Sequence, residues 1–501
     1  MRAAFRPSPR SNIAIVLGTA TLRRDLGTLE AYATLLGILI GAGIFKVTGQ
    51  AWALTGPSVI LGYVVLAPAV LATSVAYTVY LSTPLGREPG GEYTHVSRTF
   101  GGYGIAFIGA WLKIISYVGA LAFLAVAFAD YVIPLAGGRL SEGARMPLAL
   151  GSLAVTFAVH AAGVRWFGRI QVAMCAILGL SIVVLVMPGL FAIRPAHYVP
   201  FFTHGFAGFA ASLPPIFFAY AGFESLAQAA GEVKDSTRRL PAIFLKGIAA
   251  TTVIYLLMSA VALGVFPGER LGASDAPMTD VAAVYLPWGA AWFVTLGAVM
   301  ALTTSLNSTM LVPSRLAIML ARDRLAPAWL GAIHPATGTP VRGLTLTLGG
   351  AVALLLSGQV ALALGIAVFA LVLLYLIHSV ALLLLPRLNP PLFASVTAPI
   401  SLSLQRAAAA FSILAMGGLV VVQAAGDLRI LRETSFAERF ARQSLTTLEL
   451  CAMWAVAGAV IYVLERRRAL REAHDYEAAF RSGGVVADGG AAGGVEDAEQ
   501  P

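Results

Sequence analysis

Residues Leu213 to Pro241 read LPPIFFAYAGFESLAQAAGEVKDSTRRLP. The stretch opens as an apolar membrane span. Midway it becomes Ala219-Tyr220-Ala221-Gly222-Phe223-Glu224, with small residues, a glycine and a carboxylate where lipid-depth sequence should be plain. A carboxylate at that depth is expensive, so Glu224 is expected to face protein or a polar cavity. Gly222 weakens the same turn and permits unwinding or close approach. The stretch ends in Glu232, Lys234, Asp235, Arg238 and Arg239, a charged run expected in water.

A second span is interrupted in the same way. Leu35 to Gly49 reads LLGILIGAGIFKVTG, with Gly37, Gly41 and Gly43 inside an apolar run. Gly43 and Gly222 each fall in the first span of a series of five. Two glycine-broken hydrophobic segments at corresponding places in two halves point to a transporter binding site. Tight helix packing is the other use of such glycines.

The whole chain has the composition of a membrane protein. Its 501 residues are 58% hydrophobic and only 12% charged, with a mean hydropathy of +0.81. A soluble domain carries about 25% charged residues. The net charge of +9 comes from basic residues scattered through short loops. Membrane topology accounts for them, and no nucleic-acid partner is expected. Cys175 and Cys451 lie in apolar runs without disulfide or metal-ligand spacing. Nothing resembles a catalytic triad, a phosphate loop or a metal cluster, so neither an enzyme nor a cofactor or metal is expected.

Twelve helical spans are read at roughly 28–50, 58–81, 104–134, 147–164, 168–193, 208–231, 243–266, 287–312, 341–357, 359–385, 404–426 and 446–465, numbered 1 to 12 in that order. Lys and Arg concentrate in alternate loops, which puts both termini in the cytoplasm. Residues 1–27 form a cytoplasmic tail, and residues 467–501 a second one, disordered from about 482. The core is residues 28–386, with inverted repeats at about 28–193 and 208–386, and residues 387–466 add two spans. Arg429, Arg432, Arg439 and Arg442 break the charge rule, and Ser435 to Gln443 is read as an amphipathic surface helix. Tyr93 to Phe100 is expected as a short inner-surface helix. Ser274 to Leu286 takes the equivalent place outside, and Ser314 to Pro340 is a cytoplasmic linker, helical at first and then broken by prolines.

Four motifs in order carry a resemblance: GAGIF from Gly41, PLGREPGGEYTHVSRTFG from Pro84, FFAYAGFESLAQAAGEVKDSTRRLP from Phe217 and SLNSTMLVPSRLAIMLARDRLAP from Ser305. They resemble the amino acid–polyamine–organocation (APC) permeases over about Leu29 to Pro386. The resemblance implies a leucine-transporter-type fold: an all-α integral membrane bundle, a five-plus-five inverted repeat with spans 1 and 6 unwound at mid-membrane, and two extra spans.

An amino acid presents a carboxylate and an ammonium on one carbon, and unwound backbone suits both. Gly41, Ala42, Gly43 and Ile44 suit the carboxylate through N–H groups. Ala219, Tyr220 and Gly222 suit the ammonium through carbonyls. The resemblance implies the same assignment and gives Phe218 as an aromatic gate; ordinary core packing is the other reading of Phe217 and Phe218. Glu224 either senses protons or ties span 6 to a neighbour. Some proton-coupled relatives place a lysine in span 5, touching span 1. Here Ile170 to Val186 has none, and Gly179 or Leu178 stands about there. Lys113 of span 3 is the only other lysine read as intramembrane. It is expected either to supply that charge opposite Glu224 or to snorkel to the inner surface. Thr303, Thr304, Ser305 and Ser308 of span 8 face span 1, as sodium ligands or as packing groups. His160, His378 and Glu449 are read as packing residues.

The expected function is secondary active or facilitative transport of amino acids or related amines across the plasma membrane by alternating access. The alternative is a transporter-like sensor that binds amino acids without flux. Expected partners are the substrate, membrane lipid, and a proton or a counter-transported amino acid.

Overall fold

The computed structural model describes residue 22 and residues 24–136, 139–358, 360–441 and 444–471. Most of both expected tails, residues 1–21, 23 and 472–501, therefore lies outside the described residues, as does Arg442. Every regular element among the described residues is helical. That follows from lipid, which offers the backbone no hydrogen-bond partners.

Span 1 is built in pieces: Thr28–Leu39, a π-helical turn Gly43–Val47, then Thr48–Thr55. Spans 2 to 5 are Val59–Leu81, Tyr103–Leu135, Arg145–Ala161 and Val164–Gly189. Span 6 is also divided, into Gly205–Tyr220 and the single turn Ser225–Gln228. Spans 7 to 10 are Ser236–Val265, Trp288–Arg322, Val341–Leu356 and Val360–Leu388. Spans 11 and 12 are Leu402–Glu433 and Thr447–Arg471.

The two halves are inverted. The short helix Glu92–Phe100 packs beside the start of span 3, and the helix Pro277–Tyr285 lies at the far end of the same span. Span 3 runs through the middle of the bundle, whereas spans 11 and 12 lie outside it. In span 3, 72% of the most apolar window is buried, against 28% and 17% in the two outer spans. Trp111 and Trp454 fasten span 12 to span 3. Their rings stack at 4.3 Å, and each indole N–H donates to the other residue's carbonyl at 2.7 Å.

Two expectations, for Glu232 and Glu449, are corrected. Glu232 is buried rather than in water, because Arg315 lies 2.9 Å away and is equally buried. Span 8 runs on as helix to Arg322, taking in the helical start expected of the linker and placing Arg315 inside the protein beside Glu232. Of the surface helix expected at Ser435 to Gln443, Phe436–Ala441 is helical, and Arg442 and Gln443 lie outside the described residues. Its Arg439 is buried against Glu449 at 2.6 Å, so Glu449 anchors this turn instead of packing within span 12.

Candidate functional site

The two broken helices meet at their breaks. Span 1 leaves helical geometry at Ile40, where ψ is 67°. Span 6 leaves it at Ala221, which is extended, and at Gly222, where φ is +100°. That φ favours glycine, because a Cβ crowds the backbone there. The breaks also press together: a Cβ on Gly43 would stand 2.1 Å from Ala219 Cα. The buried hydroxyl of Tyr255, on span 7, lies between Leu39 O and Ala219 O, with the latter at 2.5 Å. One tyrosine can thus donate to a carbonyl of either break; Leu39 O also accepts the Gly41 N–H at 2.8 Å.

Beside this junction is a small cavity, partly open to solvent. Ala42, Gly43, Phe218, Gly222 and Ser305, all singled out in the sequence, are among the residues that line it. Gly41, Ile44, Ala219 and Tyr220 stand behind its walls; Tyr220 packs on Tyr63 and Tyr255 and donates to Tyr63 O at 3.2 Å. Thr304 sends its hydroxyl to Gly37 O at 2.8 Å, and Ser305 reaches Gly37 O at 3.1 Å and Ile38 O at 3.2 Å. Ser308 accepts from Gln171 at 3.1 Å, while Thr303 turns back to Val299 O. These hydroxyls tie span 8 to span 1, so their protons rather than open lone pairs meet the span 1 carbonyls. That is a packing arrangement and a poor fit to a sodium ligand set.

Glu224 is fully buried and does not line the cavity, which it meets through Tyr117. Tyr117 of span 3 donates to its Oε1 at 2.6 Å; Tyr375 of span 10 and the Gly222 N–H at 3.0 Å serve Oε2. It therefore ties the span 6 break to two other spans. Lys113 does not snorkel, and its ammonium bonds a carboxylate other than Glu224. Its ammonium lies 2.9 and 2.7 Å from the two carboxylate oxygens of Glu92. Gln228 at 2.9 Å and Tyr77 complete the Glu92 shell. Burial favours pairing here because either charge alone would lack solvent.

The span 5 contact with span 1 comes from neutral groups. Gln171 Nε2 reaches Ala33 O and Thr304 O, both at 3.2 Å, and Asn307 Nδ2 donates to Gln171 Oε1 at 2.8 Å. Cys175 Sγ points at Ala33 O, 3.2 Å away. Leu178 and Gly179 instead line an apolar groove with Ile254 and Leu257 of span 7. His160 Nε2 donates to the Asn307 carbonyl of this network at 2.6 Å. His378 stacks on His95, and their ring nitrogens lie 3.0 Å apart.

At the opposite end of span 3 from Glu92, a wider cavity of about 1190 Å³ approaches the first. Phe123 lines the wide cavity and Phe218 the inner one, and the two rings meet edge to face at 5.5 Å. Lys46 stands in the wide cavity, buried within the π turn of span 1, so Lys113 is not the only intramembrane lysine outside span 5. Its ammonium binds Asp130 at 2.9 Å and Asp275 at 3.0 Å, while Arg145 holds the other Asp130 oxygen at 2.7 Å. The hydrogen bond from Lys46 holds the Asp275 carboxyl below its ordinary pKa.

A family model for amino acid permeases matches residues 26–428. The chain belongs to the amino acid permease family. Its relatives include the branched-chain amino acid permease of Bacillus subtilis, 27% identical over 66% of this chain and 73% of the relative. The methylthioribose transporter of the same bacterium is 27% identical over 69% and 78%. Cationic amino acid transporter 9 of Arabidopsis thaliana, described as chloroplastic, is 28% identical over 67% and 62%. These are transporters rather than enzymes, and the permease is likewise a multi-pass membrane protein.

Several residues of the permease escaped the sequence reading. Gln171 had a signal, an amide within an apolar run. Lys46 and Asp130 had one too, opposite charges at the ends of two spans. Tyr117, Tyr255 and Tyr375 had none, because a tyrosine in a membrane helix declares no partner until the helices are packed.

Proposed function

We propose that the permease moves amino acids or related amines across the plasma membrane by alternating access. The observation that carries this reading is the contact of two unwound helices at Gly43 and Ala219, beside a cavity lined by Ala42, Gly43 and Gly222. Small residues let a ligand approach the peptide groups, with N–H groups of span 1 suited to a carboxylate and carbonyls of span 6 to an ammonium. Lys and Arg enrichment favours the Glu92 end as cytoplasmic.

On that orientation, the access route from outside is the wide cavity, with Phe123 and Phe218 as the last barrier. The route to the cytoplasm is closed by the Glu92–Lys113 and Glu232–Arg315 pairs. Transport requires one barrier to part while the other holds. The neutral span 5 contact through Gln171 favours exchange or facilitated movement over proton symport through a charged span 5 residue.

The test is uptake of a labelled amino-acid panel by proteoliposomes, with and without a pH gradient and with and without internal amino acid. Saturable flux that rises with internal amino acid is the expected result. Saturable binding without flux would make the protein a sensor, and absence of both would overturn the assignment.

A further inference from the structure

We infer that the site selects amino acids with uncharged, mainly aliphatic side chains, and that Thr309 supplies a hydrogen bond to them. This rests on the transport reading above and adds the substrate class. No charged residue lines the inner cavity. Its walls away from the breaks are Ala120 and Leu124 of span 3, Thr309 of span 8, and Ala367 and Leu371 of span 10.

Each nearby charge is committed elsewhere. Glu224 accepts from Tyr117, Tyr375 and the Gly222 N–H, so little of its lone-pair capacity remains, and Tyr117 stands between it and the ligand space. Lys113 and Glu92 neutralise one another, both fully enclosed. Lys46, Asp130 and Arg145 lie beyond the Phe123–Phe218 contact. A lysine or arginine side chain entering this space would lose its water without gaining a counter-charge, and so would a glutamate side chain. An aliphatic side chain gains contact with Leu124 and Leu371 instead.

Four side-chain hydroxyls line the cavity, and three are already used. Ser116 donates to Ala367 O at 2.7 Å, Tyr117 to Glu224, and Ser305 to the span 1 carbonyls. Thr309 Oγ1 has no hydrogen-bond partner among the described residues, and it lies one turn beyond Ser305 on the same face of span 8. It is therefore the hydroxyl free to meet the ligand.

The test is uptake of labelled leucine by proteoliposomes of the full-length permease, challenged with unlabelled amino acids. Valine, isoleucine and methionine should compete at least tenfold better than lysine, arginine or glutamate. Thr309→Val should raise the leucine KM roughly three- to tenfold, the loss expected for one hydrogen bond, with Thr309→Ser restoring it. Ala120→Leu should depress leucine uptake more than alanine uptake, by filling the wall. Lysine or arginine competing as well as valine would overturn this inference and leave the transport reading standing. An unchanged KM in Thr309→Val would overturn the role of Thr309. Flux of methylthioribose with no amino acid moved, or no flux at all, would overturn both the inference and the reading beneath it.

Discussion

Lys113 Nζ lies 2.7 Å from Glu92 Oε2, and both side chains are about 1% exposed. The pair joins span 3 to the short helix that follows span 2, with Gln228 of span 6 donating to the same oxygen. It therefore links three segments on the side of the cavity away from Phe218. A buried pair is weak evidence of net stability, yet removing one partner strands the other charge.

Lys113→Met should accordingly cost about 3–5 kcal/mol of stability, by leaving the Glu92 carboxylate without its cation. Adding Glu92→Leu to Lys113→Met should recover part of that loss. Thermal unfolding of the detergent-solubilised single and double variants measures the coupling. Additive losses would mean that the two groups do not act as a pair.

Gly43→Val and Gly222→Val should each abolish transport while the protein still reaches the membrane. The first drives a side chain into Ala219, where the Cβ alone already comes within 2.1 Å of Cα. The second puts a β-branched residue at a φ of +100° and into Ile38. Proteoliposome flux, normalised to reconstituted protein, reads the result. Normal flux in either variant would contradict the placement of the site.

Tyr255→Phe removes a hydroxyl that two carbonyls share, Leu39 O and Ala219 O. Leaving the buried Ala219 carbonyl without a donor costs about 1–3 kcal/mol, while Leu39 O keeps the Gly41 N–H at 2.8 Å. Because one carbonyl belongs to each break, amino-acid binding should weaken along with stability. Binding affinity and unfolding temperature measured on the same preparation distinguish this from a loss of packing alone, which would lower only the second.

His95 sits on Glu92–Phe100, stacked between Tyr80 and His378. Burial pushes its imidazole well below the ordinary value of 6.5, and His378 adds to the effect. The folded state thus holds His95 neutral, while the unfolded chain takes up a proton as pH falls through about 6.5. Its contribution to stability is complete above that pH and declines progressively below it. The unfolding temperature should fall between pH 7.5 and 5.5, and His95→Gln should flatten the slope. An equal slope in the variant would place the effect elsewhere.

The sequence by itself determined the class, the approximate positions of the twelve spans, and the two that break. Hydrophobic length fixes a membrane helix because lipid leaves the backbone no other partner. Glycines and a carboxylate inside such a run stand out against it, which is why Gly43, Gly222 and Glu224 were legible. The partners of the charged groups were decided only by the tertiary structure. Glu92 lies 21 residues from Lys113 and Glu232 lies 83 from Arg315. Spacing along the chain says nothing about such pairs, since a buried charge takes whichever opposite charge packing brings to it. The same holds for Gln171, Tyr117 and Tyr255, whose roles arise from carbonyls and carboxylates on other helices. Local sequence settles where a helix forms or fails; the contents of the space between helices depend on how all of them pack.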